Sequence, residues 1–219
     1  MNSLKNKKII ITGGPTWVPI DSVRVITNVF RGTLGLMIAQ EAAKRGAKVT
    51  FLLGPGGVFI PKKKSPRLKI IRFKFFDDLY KLMRREISSR KYDVVIQAAA
   101  IADYMPVKYY KGKIKSKKEN LSVKLKPTIK IIDQVRKWDP KVFLVKFKVE
   151  YDISKKALIK KSYESMLASN ADLMVANDLK YMKGNKHKAF ILDSKKNIIV
   201  CNKKIEIAKK LLNTIVKIC

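Results

Sequence analysis

Three clusters in this chain carry residue types that could do chemistry. Thr12-Gly13-Gly14-Pro15-Thr16, followed by Gly32, can bring backbone N–H groups close to a phosphate. Glycine lacks a Cβ and enters φ > 0 without strain, and a helix that starts just beyond such a turn favours anions. The alternative is a tight turn that binds nothing, and glycine spacing alone does not separate the two. The spacing is not the GxGxxG of a dinucleotide site. In the second cluster, Ala98-Ala99-Ala100-Ile101-Ala102-Asp103-Tyr104, small residues precede an acid. A base or ribose could lie against that backbone while Asp103 accepts hydrogen bonds from hydroxyl or amino groups; the plainer alternative is that Asp103 caps a turn. The third is the basic stretch 108–126, KYYKGKIKSKKENLSVKLK. A lysine there could answer phosphate charge that builds up during nucleotidyl transfer, or the run is simply a solvated surface.

These clusters need a framework, and the apolar pattern supplies one. Ile9-Ile10-Ile11 is a short strand that runs into the glycine turn, and Leu34, Ile38 and Ala42 then repeat with helical spacing until Gly46. Residues 47–53 read as the next strand, which makes a strand, turn, helix, strand unit of a parallel sheet. Strands follow at 68–73 and 93–100, the latter a continuous apolar run of the doubly buried kind. A helix over 76–87 carries Asp77 and Asp78 in its first turn, where the helix dipole favours them. Residues 105–127 read as an extended basic flap, with a strand at 121–125. Helices at 128–138, 154–169 and 203–218, strands at 141–150 and 171–178, and a hairpin of 188–193 with 197–201 complete the chain. The expected fold is α/β, a Rossmann-like three-layer parallel sheet with the flap and a C-terminal hairpin, in one domain over 1–219.

Composition narrows the function classes. The 219 residues include 49 Lys and Arg against 17 Asp and Glu, for a formal net charge of +32. That suits polyanionic substrates and raises nucleic acid as a partner. The 40 lysines and 9 arginines are dispersed, however, and specific phosphate and base readers favour the arginine fork, so a general lysine bias is the preferred reading. No apolar stretch is long enough to cross a membrane, and the polar start MNSLKNKK is not a signal peptide, so the expected location is cytoplasmic. Cys201 and Cys219 show no metal spacing, no metal ligands are assigned, and no catalytic triad is evident. His187, the only histidine, reads as a surface residue. Tyr109 and Lys113 have the spacing of a short-chain dehydrogenase pair, but the other motifs are in the wrong order, so that spacing is coincidental.

Taken as a string, the sequence resembles the phosphopantothenate–cysteine ligase (phosphopantothenoylcysteine synthetase) family. The matching segments are Gly14-Pro15-Thr16, Pro19-Ile20-Asp21-Ser22-Val23-Arg24, Ile26-Thr27-Asn28, and Gly32 with Gly35. Further along they are Ala99-Ala100-Ile101-Ala102-Asp103-Tyr104, Lys113-Ile114-Lys115, Phe147 with Glu150, and Asp172-Leu173-Met174-Val175-Ala176-Asn177-Asp178. The resemblance implies a reaction in coenzyme A biosynthesis. CTP, accompanied by Mg²⁺, activates the carboxylate of 4′-phosphopantothenate as an acyl-cytidylate, and the amine of cysteine then displaces CMP to form the amide. It also implies residue roles: Lys113 and Asn28 in catalysis; Gly13, Gly14, Pro15, Ala99, Ala100, Asp103, Lys113, Lys115 and Phe147 around the nucleotide; and Asn28, Arg31, Gly32 and Asn177 around the acid substrate. A homodimer is implied as well. Many bacterial members carry a flavin decarboxylase domain ahead of this one, which these residues do not include.

Four departures stand out. The family's His-Ser-Ser-Gly-Lys after the asparagine is Val29-Phe30-Arg31-Gly32-Thr33, with Arg31 restoring one charge. The polar pair after Gly-Pro-Thr is Trp17-Val18. Helix lysines that face phosphate in the family fall at Ser165 and Ser169, and the glycine before Phe147 is Lys146. Two further readings stay open: a diverged nucleotide-dependent enzyme that activates another carboxylate, and a basic nucleic-acid-binding module without catalysis. No residue here decides the base, so CTP comes from the resemblance alone.

Overall fold

The computed structural model describes residues 3–61, 65–116, 120–184 and 186–219. Residues 62–64 of the lysine-rich loop and 117–119 of the basic run lie outside the described residues. In chain order the elements are β1 (Lys8–Gly13), β2 (Trp17–Pro19), β3 (Val25–Thr27), α1 (Thr33–Lys44), β4 (Lys48–Leu53), β5 (Leu68–Arg72), α2 (Phe76–Ser88), β6 (Val94–Gln97) and β7 (Tyr104–Pro106). They continue with β8 (Leu125–Pro127), α3 (Ile131–Trp138), β9 (Phe143–Glu150), α4 (Lys155–Ala168), β10 (Leu173–Lys183), β11 (Lys186–Asp193), β12 (Ile198–Lys203) and α5 (Lys204–Ile218).

The isoleucine run decides where the sheet is centred. Ile9, Ile10 and Ile11 are fully buried and pair with Val94, Val95 and Ile96 on one side and with Val49, Thr50 and Phe51 on the other. A strand apolar at every position is stable only when both faces are covered, so β1 takes the middle. Eight strands follow the order β12-β11-β10-β9-β6-β1-β4-β5. The six from β5 to β10 are parallel, and β11 and β12 extend the sheet as an antiparallel hairpin. Ile9, Ile11, Ile96 and Val145 pack under α1 and α5, while Ile10, Val95, Leu144 and Met174 pack under α2, α3 and α4. The fold is therefore three-layered, mostly parallel α/β, as its sequence predicts.

The path of the chain matters for function. From β1 it moves to β4 and β5 on one side, then returns to β6 on the other. That reversal opens a crevice between the carboxyl ends of β1 and β6, where open α/β sheets bind their ligands. The glycine turn leaves β1 there and the alanine turn leaves β6 there.

Three local expectations change. The helix expected from 128 begins at Ile131, because the Thr128 N–H donates to the Asp103 carbonyl at 2.9 Å and its Oγ1 to the Ala102 carbonyl at 2.7 Å. The strand expected over 121–125 is β8, which starts at Leu125 and pairs with β7 to zip the base of the flap. Residues 17–27, given no regular structure from the sequence, form the small antiparallel hairpin of β2 and β3.

Candidate active site

Hydrogen bonds knit the turns at the crevice into one unit. The Ala100 N–H donates to the Gly14 carbonyl at 3.0 Å, and the Thr16 N–H donates back to the Ala100 carbonyl at 3.3 Å, so Pro15 and Ala100 bridge like one more step of the sheet. Two buried threonines support them from below. Thr12 Oγ1 accepts the Ala99 N–H at 3.1 Å and Thr16 Oγ1 accepts the Ala102 N–H at 2.9 Å. Asn28 closes the arrangement: its Nδ2 donates to the carbonyls of Ala100 at 3.1 Å and Ile101 at 3.3 Å. The Asn28 carbonyl oxygen is left as the group with which it would meet a ligand.

The glycines do structural work as well. Gly32 sits at φ 87°, and a Cβ there would stand 2.6 Å from the Gly14 backbone nitrogen. The turn before α1 thus lies directly on the turn after β1. Gly32 is the N-cap of α1 and offers no side chain to its first N–H groups, and no acid occupies the first turn. Those N–H groups are open to an anion beside the glycine turn.

Around this centre the remaining residues fall on different sides. Asp103 is exposed and ion-paired with Lys130, the N-cap of α3. Arg31 is exposed beside Gly32. Phe147, half buried on β9, packs on the α1 and α5 face, whereas Ala99 and Ile101 pack on the opposite face. Asn177 is buried on β10; its Nδ2 reaches the Lys148 carbonyl at 3.4 Å and its Oδ1 meets His187 Nε2 at 3.2 Å. His187 is therefore not a surface residue. Strand alternation on β11, in line with buried Ala189, brings its imidazole inside, 5% exposed, with Nδ1 buried and without a partner among the described residues. Burial, with Lys204 adding to it, pulls its pKa down to about 4.

Lys113 and Lys115 are exposed on the flap, and Ile114 between them is clipped to the body. Asp21 Oδ2 accepts the Ile114 N–H at 3.1 Å, and Arg24 Nη1 and Nη2 donate to the Ile114 carbonyl at 3.3 and 3.4 Å. Asp21 also accepts the N–H groups of Val23 and Arg24 at 2.8 and 2.7 Å and the Arg24 guanidinium at 2.5 Å. Desolvation pushes the Asp21 carboxyl up, but the Ile114, Val23 and Arg24 donors together hold it well below the usual carboxylate range. Ser22 adds two bonds to Gly112, one through its backbone N–H at 3.2 Å and one through its Oγ at 3.0 Å. Thr12, Thr16, Asp21 and Arg24 are the residues whose roles motif reading passed over. Their signal is a polar side chain beside a turn with nothing else to bond.

Lys146 also differs from a surface lysine. It reaches α4, where its Nζ donates to the Ser165 carbonyl at 2.9 Å and to Ser169 Oγ at 3.2 Å. Among the described residues no group of three or more His, Cys, Asp or Glu could hold a metal ion, and no helix is long and apolar enough to cross a membrane.

Comparison with known proteins adds relatives to this geometry. The model of a family described as the DNA/pantothenate metabolism flavoprotein C-terminal domain matches residues 4–218. The coenzyme A biosynthesis bifunctional protein CoaBC of Thermococcus kodakarensis is 37% identical over 178 residues, 81% of this chain and 43% of that one. CoaBC of Borreliella burgdorferi is 35% identical over 213 residues, 95% of this chain and 52% of that one. This chain thus spans about half the length of these curated relatives. The crystal structure of the DNA/pantothenate metabolism flavoprotein from Streptococcus pneumoniae superposes with a TM-score of 0.87 at 30% identity, covering 95% of this chain and 98% of that one. A mutant of Cab2 in complex with phosphopantothenate-cysteine shares the fold, with a TM-score of 0.80 at 19% identity over 97% of this chain and 87% of that one.

Proposed function

This chain belongs to the DNA/pantothenate metabolism flavoprotein C-terminal domain family, and we propose that it is the phosphopantothenate–cysteine ligase unit of coenzyme A synthesis. The observation that carries the reading is the knitted crevice. Backbone bonds between Ala100 and Gly14 hold the alanine turn after β6 against the glycine turn after β1, beside the open N-terminus of α1, and Asn28 fastens on the alanine turn. Two anionic groups, a nucleotide and a phosphorylated acid, can be brought together there against fixed backbone. The curated relatives named for coenzyme A biosynthesis support the same assignment.

A carboxylate does not react with an amine, so the acid must first be activated. We assign the first step to attack of the 4′-phosphopantothenate carboxylate on the α-phosphate of CTP, which expels pyrophosphate and leaves an acyl-cytidylate. The cysteine amine then attacks the acyl carbon, CMP departs, and the amide forms. No side-chain nucleophile is needed; the protein's contribution is alignment and charge. Lys113, with Lys115, supplies positive charge from the flap to the departing pyrophosphate. Asp103 and the Ala99-Ala100 turn line the nucleotide, with Gly13, Gly14, Pro15 and Phe147. Asn28, Arg31, Gly32 and Asn177 line the acid, with Asn28 turning its free carbonyl oxygen to the intermediate. Mg²⁺ travels with the triphosphate as part of the substrate, and no step is assigned to it. The working unit is a homodimer in the cytoplasm, and the exposed Tyr104, Val107, Tyr109 and Leu125 of the flap are suited to meeting a second copy.

The test is pyrophosphate release with CTP or ATP, 4′-phosphopantothenate and Mg²⁺, with and without cysteine. Release that requires the acid, with amide formed only when cysteine is present, is expected, and CTP is expected to outperform ATP. Nucleotide binding with no release would overturn the ligase reading in favour of another carboxylate substrate. Salt-sensitive binding to nucleic acid without turnover would overturn both.

A further inference from the structure

Two of the four sequence departures meet in space. Lys146 is the register partner of Gln97, the last residue of β6, so both side chains leave the sheet on the face covered by α4. From there the Lys146 ammonium reaches the Ser165 carbonyl and Ser169 Oγ, the two helix positions at which the sequence lacks lysines. The strand has gained a cation where the helix lacks two, and the cation is directed at the same spot.

Its surroundings are unusual for a lysine. Both recorded acceptors are neutral, and among the described residues no carboxylate pairs with it. An ammonium has three N–H donors, so one remains. Burial pulls its pKa down, Asp133 pulls it partly back, and Lys148 and Lys130 push it down again. Two other polar atoms on this face are buried without partners among the described residues, Gln97 Oε1 and Ser162 Oγ, the latter one turn before Ser165. The spare ammonium N–H and the Ser162 hydroxyl are donors that an anion would satisfy, whereas Gln97 Oε1 is an acceptor and takes only a proton donor. Lys130, the α3 N-cap that pairs with Asp103 beside the alanine turn, is near enough to act on the Lys146 ammonium. Lys130 pairs with Asp103 and Lys148 with Glu150, so the charge left to meet an anion is that of Lys146.

We propose that Lys146 is a nucleotide-binding residue of this chain, donating its remaining N–H to a phosphate oxygen of the activating nucleoside triphosphate from the strand rather than from α4. The inference rests on the ligase reading above and adds a contact to the same site. It also explains why a bulky side chain is accommodated next to Phe147: the space it occupies is the space two serines leave.

The experiment measures binding of CTP and CMP by calorimetry to the intact wild-type chain, to Lys146→Met, and to Lys146→Gly combined with Ser169→Lys. Lys146→Met keeps the length of the side chain and removes the charge. It is expected to weaken CTP by about tenfold or more, with a smaller effect on CMP. The double variant, which returns the ammonium to the helix, is expected to recover most of the CTP affinity. Unchanged CTP affinity in Lys146→Met overturns the inference, as does equal loss of CTP and CMP with no recovery in the double variant. A readout that needs no variant is amine acylation of the wild-type chain: CTP, and not CMP, is expected to protect Lys146, and equal labelling with and without CTP overturns the proposal. A wild-type chain that binds neither nucleotide removes the ligase reading itself, which distinguishes the two failures.

Discussion

At the scale of single residues, Lys113 and His187 give the sharpest predictions. If Lys113 offsets charge on the departing pyrophosphate, Lys113→Ala should lower kcat for pyrophosphate release by about 10²-fold or more while leaving KM for the acid nearly unchanged. A rise in KM alone would assign Lys113 to ground-state binding. His187 makes a pH prediction. Its folded pKa of about 4 lies below the ordinary 6.5, so protons favour the unfolded chain. The contribution is complete above pH 6.5, declines as pH falls toward 4, and is lost below that; the span is about 3 kcal/mol. Chemical denaturation at pH 7 and pH 4.5 should show this loss in the wild type and a smaller one in His187→Gln, which cannot take up the proton. The misplacement of this residue in the sequence reading has a plain cause. A lone histidine between Lys186 and Lys188 looks exposed, but β11 begins at Lys186, two residues before the strand the sequence suggests, so strand alternation carries His187 to the face of Ala189 and Ile191. Thr12 and Thr16 were hidden differently, because their hydrogen-bond partners lie more than 80 residues away along the chain.

At the scale of elements, legibility follows length and period. The isoleucine run, the helical repeat of α1 and the apolar β6 were readable because burial on both faces or on one stripe leaves a pattern. The hairpin of β2 and β3 was not, since three-residue strands are too short to show a period. The clip between Asp21, Arg24 and Ile114 is likewise invisible to pattern reading, yet it determines where Lys113 and Lys115 stand. Asp21→Asn cannot accept all of the donors the carboxylate holds, so the start of the flap should come free. Trypsin should then cut at Lys111, Lys113 and Lys115 faster than in the wild type, with the melting temperature of the body little changed. Unaltered cleavage would show that the Ser22 contacts suffice. In a double-mutant cycle the activity loss of Asp21→Asn should largely disappear on the Lys113→Ala background, because the clip then has no lysine to present. At the other end of the crevice, Gly32→Ala would force a Cβ to 2.6 Å from the Gly14 nitrogen at a φ that L residues avoid. It should lower stability by about 1–3 kcal/mol and weaken nucleotide binding together.

At the scale of the whole molecule, the charge of +32 acts on encounter rather than on chemistry. Both proposed phosphorylated substrates are polyanions, so the basic surface should speed their arrival. Raising the salt from about 20 mM to about 300 mM should lower kcat/KM several-fold while kcat stays nearly constant, because the Debye length shrinks below the size of the domain. A parallel fall in kcat would place the salt effect in the site itself. The same molecule also carries its own observer. It contains one histidine, and that imidazole lies 3.2 Å from the side-chain oxygen of Asn177, the β10 residue proposed to line the acid. In a proton spectrum the ring therefore gives one isolated pair of resonances, free of overlap from any sibling. Titrating the acid substrate into the unlabelled wild-type chain should move that pair, so occupancy of the acid pocket can be followed without a tag, a dye or a coupled enzyme.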